Sequence, residues 1–129
     1  MRYNQKLNRE YGQFIGSMDW DIHITIHYLK GCKSSGGRKN IQNIYNKNRN
    51  LIQRLFFISE RNSDYKNIHN HLLIKLSSPT ERIKLNKYSS ITNIDERLIP
   101  ELLRGENCEN VSQYVCKFID RNVDWDILL

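Results

Sequence analysis

The feature that most restricts this chain is a pair of apolar runs joined by a short polar segment. Leu55-Phe-Phe-Ile-Ser-Glu60 and Ile68-His-Asn-His-Leu-Leu-Ile-Lys-Leu76 flank Arg61-Asn-Ser-Asp-Tyr-Lys-Asn67, a cluster of turn formers. So short a connection cannot house a crossover, and the two runs are expected to be neighbouring antiparallel strands. A third strand is expected within Asp19–Leu29. There Ile22, Ile24 and Ile26 alternate with His23, Thr25 and His27, a period of two that buries one face.

Helical spacing follows elsewhere. Ile41, Ile44, Tyr45, Leu51, Ile52 and Leu55 predict an amphipathic helix over about 39–54. Pro79 suits the first turn of a helix over 79–88. Asn110-Val-Ser-Gln113 resembles a capping box that opens a helix to about Arg121, and 124–129 reads as a closing strand. Between them, Ile91–Ile94 suggests a short strand and Glu96–Leu103 a helix broken at Pro100. Residues 1–17 read as a loose polar arm, and Lys30–Arg38 as a flexible basic loop. The expected class is α+β, with a central antiparallel sheet and helices on one face. One domain over 18–129 follows the arm, the size that 129 residues allow.

Composition narrows the function. Sixteen Ile and thirteen Leu supply a core, so a disordered chain is excluded. Twenty Lys+Arg against fourteen Asp+Glu leave a net charge of +6, which favours a polyanionic partner, nucleic acid first. No run reaches the ~18 apolar residues of a membrane span, and Met1-Arg-Tyr-Asn-Gln-Lys6 lacks a secretory core, so no membrane role is expected. Three cysteines without a C-x-x-C pair argue against disulfides or a thiolate zinc site and for a reducing, cytoplasmic setting. Alanine is absent while Asn reaches fifteen, a bias of AT-rich coding that lowers the weight of any single Asn or Ile.

Three segments carry chemistry. His69 and His71 are two apart on one strand, so both project from the same face with Cα atoms about 6–7 Å apart, near enough for one ion. Glu60 ends the partner strand and would lie across from them. Two imidazoles and one carboxylate leave open positions on a divalent ion. His23 and His27 stand about 13 Å apart and cannot both hold one ion; they are expected to face a groove or touch DNA. On the last helix Val111, Val115, Phe118 and Ile119 form the expected buried stripe. Tyr114, Lys117 and Arg121 lie along its flank. A phenolate there can attack a phosphodiester while the lysine steadies charge. The loop residues Lys30, Lys33, Arg38 and Lys39 are expected to contact phosphates.

Together these segments resemble, in order and spacing, the motifs of HUH-type rolling-circle replication initiators. Trp20-Asp-Ile-His-Ile-Thr-Ile-His27 resembles the first, W-D-x-x-x-T followed by an apolar residue. Glu60 with His69-Asn-His71 resembles the metal-binding second, and Tyr114-Val-Cys-Lys117 the single-tyrosine third, Y-x-x-K. Val123-Asp-Trp-Asp-Ile127 is similar to the tail that follows, so the likeness spans about 19–127. It departs at Asn70, where the family usually has an apolar residue.

The resemblance implies a ferredoxin- or RRM-like sheet and a Mn²⁺ or Mg²⁺ ion. It implies nicking of single-stranded origin DNA, with a hairpin as one form of that substrate, through a 5′-phosphotyrosine. It further implies a plasmid- or virus-encoded protein in a prokaryotic cytoplasm, a host or plasmid helicase as partner, and room for homodimer formation. No helicase domain is expected within these residues. A single-strand transposase of the same superfamily, and a non-enzymatic module binding single-stranded nucleic acid, stay open as alternatives.

Overall fold

A computed structural model describes residues 5–28, 31–64, 66–78, 101–103, 106–119, 121 and 123–129. The elements run α1 (Gln5–Gly16), β1 (Ile22–Ile26), α2 (Ser34–Lys47), β2 (Ile52–Arg61), β3 (Ile68–Leu76), β4 (Glu101–Leu102), α3 (Glu106–Val115) and β5 (Trp125–Leu128). The strands form one antiparallel sheet in the order β4-β1-β3-β2-β5. The expected hairpin is present, with Glu60 directly opposite His69 and Ser59 opposite Asn70. The class is therefore α+β around an antiparallel sheet. The expected helix over 79–88 and strand over 91–94 fall outside the described residues, as does Lys30. Where 96–103 was expected to be helical, residues 101–102 are instead the edge strand paired with β1.

Helices cover both faces rather than one. β2 and β3 read as continuous apolar runs, and such strands bury both sides. Leu55, Phe57, Leu72 and Ile74 pack with Ile41, Ile44 and Tyr45 of α2. Phe56, Ile58 and Leu73 pack on the other side with Ile15 of α1 and with Cys108 and Val115 of α3. The polar arm is thus a correction: residues 5–16 are helical, with Ile15 buried, Tyr11 packed against the core, and Asn8 and Gly12 buried on the same side of α1. The Trp20 indole donates to the Ile15 carbonyl at 2.7 Å and ties off the helix end. Gly12 lets α1 lie against α3, since a Cβ there would come within 2.8 Å of the Gln113 Cα.

The basic loop is likewise largely helix. α2 begins at Ser34, five residues before the expected start, and runs through Gly36 and Gly37. These glycines mark a close approach, because a Cβ on Gly37 would meet Asn70 Oδ1 at 2.8 Å. α2 ends at Lys47, well short of residue 54. The Asn48 side chain there donates to the Ile44 carbonyl at 2.8 Å. α3 stops at Val115, before the expected Arg121, and the chain continues in tight turns. The N–H groups of Lys117, Ile119 and Arg121 bond back three residues to Tyr114, Cys116 and Phe118. Among the described residues no helix is long and apolar enough to cross a membrane.

Candidate metal centre

The α3 side of the sheet carries the polar cluster. Alternation along β3 sends His69 and His71 to this face and Asn70 to the other, and the hairpin register brings Glu60 across from them. Glu60 Oε1 lies 3.6 Å from His69 Nε2, and Oε2 lies 3.6 Å from His71 Nε2. The three ligand atoms all sit within 4.8 Å of one another.

Each imidazole is oriented by a partner behind it. His69 Nδ1 donates to Asn62 Oδ1 at 2.6 Å, because an amide oxygen only accepts. Its Nε2 lone pair is thereby turned toward Glu60. His71 Nδ1 sits 3.2 Å from the Thr25 hydroxyl and 3.1 Å from His23 Nε2. His71 Nε2 is buried with no hydrogen-bond partner. Burial, with the neighbouring His23 next in weight, pushes the His71 pKa down to about 3, so the ring is a neutral ligand at pH 7. Burial alone would raise the Glu60 carboxyl. Closeness to His69, His71 and Lys117 outweighs it and lowers the Glu60 pKa below the ordinary carboxylate value. An orphaned imidazole nitrogen, a second imidazole and a carboxylate form a donor set that can hold a divalent metal ion.

Searches against profiles of known protein families, curated protein sequences and solved structures find no match for this chain. Its functional reading therefore rests on the site's own geometry.

The structure brings Tyr114 and Lys117 to this centre. The Tyr114 ring meets His71 edge-on, with centroids 5.8 Å apart, and is 53% exposed, so the phenol borders solvent beside the Glu/His/His group. Lys117 Nζ stands 3.6 Å from the centroid of that ring and 3.6 Å from Glu60 Oε1. Turns of three residues eclipse positions i and i+3, which aligns Lys117 with Tyr114 and stacks the Arg121 guanidinium 4.7 Å above Phe118. Phe118, expected in the buried stripe, lines a cleft with Arg121 instead.

Of the other expected DNA contacts, His23 and His27 lie against this centre and the described α2 residues do not. His23 is 7% exposed and stacks on His71, a second-layer residue rather than a groove-facing one. His27 is exposed and stacks on His69. Lys33, Arg38 and Lys39 belong to α2 and its N-cap, on the opposite side of the sheet. Lys33 donates to the Lys66 carbonyl at 2.9 Å. Arg38 is held by Asp124 at 2.7 Å and Asp126 at 3.1 Å while covering Phe57, so its charge is spent inside the fold. Two site residues were missed. Thr25 had a signal, since it shares a strand face with His23; Asn62, in the turn, had none.

Proposed function

We propose that this chain is a single-tyrosine HUH-type endonuclease that nicks and rejoins single-stranded DNA. The observation that carries the reading is a solvent-bordering tyrosine, topped by a lysine, edge-on to the Glu60/His69/His71 group. The strand order β4-β1-β3-β2, with α2 between β1 and β2, supports the ferredoxin-like form of the fold.

In this reading Tyr114 gives up its phenolic proton to the bordering solvent and its oxygen attacks phosphorus. The new O–P bond leaves a 5′-phosphotyrosine, and the departing 3′ oxygen takes a proton to become a free 3′-OH. The same steps reversed rejoin the strand. Lys117, beside the ring, would face the charge that builds on the phosphate. Glu60, His69 and His71 would hold Mn²⁺ or Mg²⁺, which polarises the scissile phosphate when bound. Such chemistry suits initiation of rolling-circle replication by a plasmid- or virus-encoded protein in a prokaryotic cytoplasm. The freed end would then be extended with the help of a separate helicase.

The test is a denaturing gel with labelled hairpin-bearing oligonucleotides and Mn²⁺. The parent chain should give an SDS-resistant adduct, whereas Tyr114→Phe should bind the same strand and give none. Cleavage that continues undiminished in EDTA, or an adduct that survives in Tyr114→Phe, would overturn the proposal.

A further inference from the structure

A cleft of about 240 Å³ opens beside Glu60, between the β2–β3 turn and the segment that follows α3. It is lined by Glu60, Arg61, Asn62 and Ser63 of the hairpin and by Phe118, Arg121 and Val123 of the later segment. We propose that this cleft receives one unpaired nucleobase of single-stranded DNA, next to the phosphate that Tyr114 attacks. The proposal rests on the endonuclease reading only in taking such DNA as the substrate.

Three observations point to this occupant. The space is smaller than the roughly 300–1,000 Å³ of sites that enclose drug-sized molecules, which suits a single flat ring system. Phe118 with Arg121 stacked 4.7 Å above it is an aromatic–guanidinium platform, the kind of surface on which bases stack without regard to sequence. Arg61 and Arg121 are both among the lining residues, so a base that enters brings its flanking phosphates near cationic residues. Glu60 belongs both to this cleft and to the metal group, which sets the occupant beside the reacting centre. Asn62 and Ser63 offer polar groups to a base edge, and the Asn62 oxygen already orients His69.

The experiment compares fluorescent oligothymidylate of about twelve nucleotides with an abasic strand of equal length, by anisotropy in EDTA so that nothing is cut. The parent should bind the base-bearing strand about ten-fold more tightly. Phe118→Leu keeps an apolar side chain but removes the ring. It should lose most of that preference while binding the abasic strand like the parent. Arg61→Gln with Arg121→Gln should weaken both strands alike. Equal binding of the two strands by the parent, or a preference that Phe118→Leu retains in full, would overturn the subsite. The two proposals separate cleanly. Lost preference without any adduct leaves the subsite standing and removes the strand-joining chemistry; an adduct with unchanged preference does the reverse.

Discussion

The two faces of β3 bury polar side chains at the same level and treat them differently. On the α2 side, Asn70 is fully enclosed and fully bonded. It accepts from the Tyr28 hydroxyl at 2.6 Å and donates to Ser59 Oγ at 2.9 Å and the Ile58 carbonyl at 3.3 Å. Burial pushes the Tyr28 phenol upward, so it stays a donor. On the α3 side, His71 is almost as buried, yet its Nε2 bonds to nothing and points toward a carboxylate 3.6 Å away. Buried polar atoms are normally paired, and one left open needs a reason. The closed network is structure; the open one is suited to a ligand.

Exchanging residues across this boundary gives the largest expected effect. His71→Ala should weaken Mn²⁺ binding by more than about 100-fold in a calorimetric titration, since changes behind a ligand alone cost about 10–100-fold. Asn70→Ala should leave that affinity within a few-fold. It should lower unfolding stability in urea by roughly 1–3 kcal/mol for each buried group left unpaired. Like behaviour of the two variants would erase the distinction between the faces.

Next in size, Mn²⁺ at about 100 times its Kd should stabilise the parent by about 2.7 kcal/mol and leave Glu60→Gln nearly unmoved. A smaller effect follows from acid. His71 is held neutral in the fold and takes a proton near 6.5 when unfolded. Its stabilisation is therefore complete above about pH 6.5 and is lost as pH falls toward 3. Glu60, held below its ordinary value, adds a loss of the same sign at the acidic end. Urea midpoints of the metal-free protein between pH 7 and pH 4 should fall, and His71→Phe should flatten that slope. Smallest of all, Arg38→Gln should cost about 0.2–1 kcal/mol and leave nicking unchanged. A marked loss of DNA binding in that variant would return α2 to the DNA interface.

The hairpin and its three candidate ligands were legible because strand periodicity and a short turn determine which side chains share a face. Tyr114 and Lys117 were legible as a pair because i and i+3 stay adjacent whether the backbone is α-helical or more tightly wound. α1 was missed because Tyr11 and Ile15 are diluted by polar neighbours, and the surface they cover comes from distant parts of the chain, Trp125 of β5 among them. Gly36 and Gly37 misled as loop residues because sequence does not reveal whether glycine serves freedom or proximity. Arg38 misled too. Its partners, Asp124 and Asp126, lie 86 and 88 residues away along the chain, where no local pattern could announce them.

The arrangement of the sheet also sets an order of assembly. Ser59 and Asn70 are 11 residues apart in sequence, whereas Thr25 and His71 are 46 apart. Closing the hairpin costs the least loop entropy of the sheet's pairings, so it favours early formation. Glu60, His69 and His71 all belong to that one hairpin, while Tyr114 arrives on a distant segment. A refolding chain should therefore gather its Glu/His/His group before Tyr114 docks, and on the proposed endonuclease reading an immature molecule would capture metal before it could cut.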